Sequence, residues 1–179
     1  MVNHLRRTLT TPLTLVLTLL AGHVAAGESR SKTAREQASF CEEGGPDDLV
    51  LKPLPLPSVI RATVMNTKEG KEAREIASRN GDELDPEKLL KGTKVHLTDS
   101  HELFFVVMGQ SPMSGADNTW FWVVRTSGKS ATILLFAGGN CLDINGTKTL
   151  GYRDIVTTWS SASITRTEIY KYGGESYKL

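Results

Sequence analysis

Reactive side chains are scarce in this chain, and the scarcity excludes a good deal. It has two cysteines, Cys41 and Cys141, and four histidines, of which His4 and His23 fall in the first 26 residues. The remaining pair, His96 and His101, stands near Asp99 and Glu102. A zinc ion needs three or four convergent protein ligands, and strand alternation puts no three of these four on one side. They read as surface residues flanking a turn, and no cofactor is expected. Ser114, Ser160 and Ser161 are the plausible hydroxyl nucleophiles, yet none stands in Gly-x-Ser-x-Gly or Ser-x-x-Lys. Asp117 and Asp154 would have to meet in space to act as paired carboxylates, which sequence does not establish. The pattern therefore leans away from an enzyme.

Neither charge sign dominates, with 21 Lys and Arg against 20 Asp and Glu. That balance gives no electrostatic case for nucleic acid or for an anionic membrane surface. Long apolar runs are also missing. The one at Pro12 to Ala21 falls short of the roughly 20 residues that a spanning helix requires, so no transmembrane segment is expected in the mature chain.

What the front of the chain does have is the layout of a secretory signal over residues 1–26: His4, Arg6 and Arg7, the apolar stretch, then small Val24-Ala25-Ala26. Its removal takes two arginines and no acids, moving the formal charge from +1 to −1. A periplasmic or secreted protein follows, and in an oxidising compartment Cys41 and Cys141 are expected to form a disulfide. Residues 27–40 read as a flexible tail and 41–179 as a single domain, helical over about 58–92 and sheet over about 93–179.

Within that domain Pro53, Pro55 and Pro57 favour an extended arm. Ser58 to Met65 follows as a short helix. A second helix is bounded by Asn66 or Thr67 as cap and Gly81 as stop, and a third by Asp85, Pro86 and Gly92. Beyond Gly92 the period becomes that of strands: 94–98, 102–108, 119–125, 131–136, 154–159, 164–170 and 176–179. Leu103 to Met108 and Trp120 to Val124 are apolar on both alternating faces, as central strands covered on each side are. Ile164 to Ile169 is polar on both faces and belongs near an edge or against water. The fold class expected is α+β, with short N-terminal helices packed on one twisted, mainly antiparallel β-sheet in a meander.

The last 70 residues carry a set of motifs: Ser114-Gly115-Ala116, Trp120-Phe121-Trp122, Gly138-Gly139-Asn140, Gly151-Tyr152-Arg153-Asp154-Ile155 with Ser160-Ser161, and Tyr170 to Tyr177. In these the chain resembles an uncharacterised family of exported bacterial proteins that end in the same Gly-Tyr-Arg-Asp-Ile block. The resemblance implies export and brings no activity with it. A looser likeness is to a single blade of FG-GAP or VCBS-type repeats, in which nearby acids hold calcium. Asp143, Asn145 and Asp154 would be the corresponding oxygens, but their spacing departs from the Asp-x-Asp-x-Asp of those repeats.

The candidate binding residues are Ser114, Asp117 and Asn118 in one loop and Tyr152, Arg153 and Asp154 after a glycine turn, with Tyr152 as an aromatic platform. Arg153 and Asp154 also suit a purely structural role in fixing that corner. The function expected is a non-catalytic binding module whose partner is another envelope or secreted protein. In one version it is an inhibitor or immunity-type protein that blocks an envelope hydrolase through the 110–118 or 137–152 loop. The alternatives are an envelope hydrolase with a dispersed site and a structural module of an exported assembly.

Overall fold

The computed structural model describes residues 38–41, 54–81, 84–110, 113–115 and 118–179, all within one compact unit, Thr33–Leu179. The expected signal at 1–26 and the tail up to residue 37 lie outside the described residues. The last residues of the expected tail do not: Ala38–Cys41 forms strand β1, held along its length by β7 (Cys141–Thr149).

Three helices come first. In α1 (Ser58–Met65) Ile60, Val64 and Met65 are buried on one side. For α2 (Lys68–Asn80) the Thr67 hydroxyl accepts from the Gly70 amide at 3.1 Å, and Gly81 ends the helix in the left-handed region at φ 76°. In α3 (Pro86–Leu89) Asp85 accepts from Glu87 N at 2.9 Å and proline fills the first position. The strands are β2 (Leu90–Val95), β3 (Leu103–Gly109), β4 (Ser114–Gly115), β5 (Asn118–Ser127), β6 (Ser130–Gly139), β7, β8 (Tyr152–Ser160), β9 (Thr165–Tyr172) and β10 (Tyr177–Lys178).

Every pairing among the described residues is antiparallel, and the fold is α+β. The single sheet expected from sequence is replaced by two. One runs β1-β7-β8-β9-β10, and the other places β3 between β2 and β5, with β4 and β6 also on β5. The chain passes from the second to the first at Gly139-Asn140-Cys141, where a single residue separates the end of β6 from the start of β7 and Asn140 N donates to Thr158 O at 2.8 Å.

Strand alternation then divides the apolar residues. Phe104, Val106 and Met108 of β3 and Phe121 and Val123 of β5 share a buried cluster with Leu142, Ile144, Ile155, Tyr170 and Tyr172 of the other sheet. Phe105, Val107, Trp122 and Val124, one residue out of phase, share a second cluster with Ile60, Val64, Met65 and Ala73. This is why β3 and β5 read as apolar on both faces. β9 lies near an edge as its polarity indicates, with Thr165, Arg166 and Thr167 exposed.

Strand β7, like the short β1 and β4, is not among the strands expected from sequence, and most of the expected 137–152 loop is strand. Asn145-Gly146 suggests a turn, but the structure absorbs it in a register shift between Ile144 and Lys148, while Leu142 and Ile144 supply core. The disulfide Cys41–Cys141 joins directly paired residues of β1 and β7, with Cα atoms 4.1 Å apart.

Candidate functional site

Thr149 and Tyr152 face each other across β7 and β8, leaving Leu150-Gly151 as a two-residue turn. Both turn residues have positive φ, 51° and 83°, the pattern of a type I′ hairpin whose twist matches that of the strands. Glycine adopts this freely; leucine does not, and Leu150 is the only non-glycine with positive φ among the described residues. Its side chain is 70% exposed.

The stem below this tip is heavily braced. Asp154, buried at 4% exposure, accepts hydroxyl hydrogen bonds from Thr147 and Thr149, each at 2.7 Å. These charge-assisted bonds hold the strand that leads into the turn to the strand that leaves it. Arg153 N donates to Leu97 O at 2.8 Å, and the Tyr177 hydroxyl donates to Arg153 O at 2.8 Å, fixing the corner from two further directions. Tyr152 stacks on Tyr172 at 3.7 Å between ring centroids and meets Phe104 edge-on at 5.9 Å. Burial and the hydrogen bond with Tyr172 raise the Tyr152 phenol above its ordinary range. Lys148 Nζ lies 2.6 Å from the Asp99 carboxylate and holds that acid below its usual range, chiefly through the hydrogen bond. Glu102 is 3.8 Å from Arg125 and 3.5 Å from the Tyr152 hydroxyl.

The other candidates stand elsewhere. Asp117 lies outside the described residues; Ser114, in β4, pairs with Thr119 of β5. Asn118 lies against Gly138, where a Cβ would meet its amide nitrogen at 2.8 Å, and it lines an open pocket of about 290 Å³ with Thr157, Trp159, Arg166 and Glu168. Trp159 is seven residues along β8 from Tyr152, roughly 20 Å at the strand rise. Asn118 and the Tyr152–Asp154 corner are thus at opposite ends of β8 and form no common site.

Two of the three residues suggested for calcium use their oxygens within the hairpin: Asp154 holds two threonines, and Asn145 Oδ1 accepts from Gly146 N at 2.7 Å. Among the described residues there is no group of three or more His, Cys, Asp or Glu placed to hold a metal ion. His96 and His101 are both exposed. Ser160 Oγ pairs with Thr165 Oγ1 at 3.2 Å. No helix of the described residues is long and apolar enough to cross a membrane.

Leu150 was not among the residues singled out from sequence; Asp99 was weighed only as a zinc ligand, and Tyr172 only as part of the Tyr170 to Tyr177 motif. A Leu-Gly pair flanked by alternating residues signals a hairpin tip only once β7 is recognised as a strand. No protein-family model, curated protein or solved structure matches this chain.

Proposed function

We propose that this is an exported, non-catalytic binding module that docks on a partner protein through the β7–β8 tip, with Leu150 as its anchor. The observation that carries this reading is a leucine 70% exposed in a left-handed backbone conformation. An L residue there costs roughly 1–2 kcal/mol, and an apolar one gains nothing from water in return. Asparagine or glycine would relieve the strain, so the side chain is best explained by what it meets in a complex. The braced stem suits this role, because an anchor on a rigid hairpin loses little freedom on binding. In the most concrete version the partner is an envelope hydrolase whose apolar cleft receives the tip, which makes the chain an inhibitor or immunity-type protein.

Export is part of the same proposal, supported by the disulfide and by the signal-like layout of residues 1–26. Kinship with the exported proteins that share the Gly-Tyr-Arg-Asp-Ile block belongs to it too. In this reading the helices back the outer face of the second sheet, a placement supported by the cluster that Ile60 and Val64 share with Phe105 and Trp122.

Leu150→Asn tests the reading, since asparagine is at home in the turn and removes the apolar tip. Tagged oxidised protein is cross-linked in its own envelope fraction and its stoichiometric partner is identified and titrated. The variant should bind that partner more than tenfold more weakly, the loss of roughly 1.5–3 kcal/mol of leucine burial. Equal binding by the variant sinks the anchor role.

A further inference from the structure

An asparagine followed by glycine is prone to lose ammonia, because glycine has no side chain to hinder attack of its own nitrogen on the asparagine amide. The chain holds two such pairs, Asn80-Gly81 and Asn145-Gly146. The fold treats them differently, and not by burying one, since Asn80 is exposed. Asn80 is the last residue of α2, and the Gly81 N–H donates to Ala77 O and Ser78 O. Helical backbone thus directs that nitrogen at the preceding turn and away from the Asn80 side chain.

At the second pair the Gly146 N–H donates to Oδ1 of Asn145 itself at 2.7 Å, so the nitrogen lies against the amide it would attack. Residues 145–147 are opposed by Asp154 alone, because the register runs from Ile144↔Ile155 to Lys148↔Arg153. None of the three has a partner of its own across the ladder, so pairing does not hold the segment straight. Gly146 and Thr147 are exposed, and a Cβ built on Gly146 would meet nothing within 4 Å. The bulge has the room that ring closure needs.

We propose that Asn145 is a site of spontaneous modification on the folded protein, converting to aspartate and isoaspartate while Asn80 is spared, and that the isoaspartate form loosens the bulge. The Gly146 nitrogen gives its proton to hydroxide and bonds to Asn145 Cγ. The bond from Cγ to the side-chain nitrogen breaks, and that nitrogen takes a proton from water and leaves as ammonia. Water then opens the cyclic succinimide. Attack at Cγ breaks the new bond and yields aspartate; attack at the backbone carbonyl breaks the original peptide bond and yields isoaspartate. Nothing is oxidised or reduced: one water is taken up and one ammonia released. Both products place a negative charge on a residue whose carbonyl oxygen accepts from Arg153 Nη1 at 3.5 Å. Isoaspartate also lengthens the main chain by a methylene just before Thr147, whose hydroxyl holds Asp154 at 2.7 Å.

The oxidised protein is held in mildly alkaline buffer, with and without urea, and peptides spanning each pair are followed by mass spectrometry for replacement of ammonia by water. Native protein should convert at Asn145 about tenfold faster than at Asn80, and urea, which unfolds both segments, should bring the two rates together. Gly146→Ala should slow conversion at Asn145 about tenfold, since its Cβ hinders ring closure, and should keep the urea midpoint near wild type, since that Cβ meets nothing in the fold. In the separated isoaspartate form the amides of residues 147–149 should exchange faster than in fresh protein. Equal rates at the two pairs in native protein, or faster conversion at Asn80, overturns the assignment. So does native conversion at Asn145 no faster than at Asn118, which a β-branched threonine follows, or a rate indifferent to Gly146→Ala. Unchanged exchange in the isoaspartate form overturns the loosening.

Discussion

At the scale of single residues, the two positions with the clearest meaning break a local preference. Leu150 occupies a left-handed turn position, so Leu150→Asn should raise stability by about 1 kcal/mol while it weakens partner binding. Urea midpoints of the two proteins check the first half; a variant less stable than wild type would mean that the leucine packs within the fold. Gly70 is the second. A Cβ there would stand 2.6 Å from both the Met65 Cα and the Val64 carbonyl oxygen, backbone atoms that cannot swing aside. Alanine gains up to about 1 kcal/mol in helix propensity, but over-packing against backbone costs roughly 1–3 kcal/mol. Gly70→Ala should therefore destabilise the protein, and a thermal melt showing a gain would refute the close approach of α1 and α2. Neither position was legible in sequence, because the glycine resembles any other in a helix and the leucine any other apolar residue.

Whole elements were legible where one residue type admits one local explanation. Thr67 and Gly81 bound α2 as their capping chemistry dictates, and Asp85-Pro86 starts α3. The apolar faces of β3 and β5 forecast burial on both sides. Strand β7 was hidden because Asn145-Gly146 has turn chemistry, whereas the structure spends it on an irregularity within a paired strand. Of the six candidate site residues, Tyr152, Arg153 and Asp154 do share a corner, since they are consecutive; Asn118 is separated from them by pairing that no local pattern announces. Strand β1 depends on β7 alone for its ladder and on Cys41–Cys141 for its covalent tie. The bridge closes a separation of 100 residues, for which the chain-entropy account gives up to about 4.7 kcal/mol. Cys41→Ser with Cys141→Ser should lower stability by a large part of that figure and release the amides of residues 38–41 to exchange first. Unchanged denaturation midpoints with and without reductant would count against this.

For the molecule as a whole, the two-sheet arrangement sets the response to alkali. All four tyrosines lie on the first sheet: Tyr170, Tyr172 and Tyr177 belong to the cluster between the sheets, and Tyr152 packs against it. Burial, then the hydrogen bond to Glu168 at 2.5 Å, pushes Tyr170 up to about 12. Burial raises Tyr177 further still, and its hydroxyl is committed to Arg153 O. The unfolded chain releases these protons near the ordinary tyrosine value of about 10, while the folded chain keeps them. Above about pH 10 the unfolded state binds fewer protons than the native one, so stability falls as pH rises, and it levels only beyond the folded values. Below about pH 10 the contribution is constant. Urea midpoints should therefore hold steady to about pH 10 and drop steeply above it. The phenolate absorbance of Tyr170 and Tyr177 should appear together with loss of the near-ultraviolet circular dichroism, since ionising these two rings needs water between the sheets. Tyr177→Phe should flatten the descent while costing stability at neutral pH through the lost bond to Arg153. Phenolate at Tyr170 or Tyr177 that forms near pH 10 with the tertiary signal intact, identified by its loss in the corresponding phenylalanine variant, would place those rings at the surface and break the account of a core shared by both sheets.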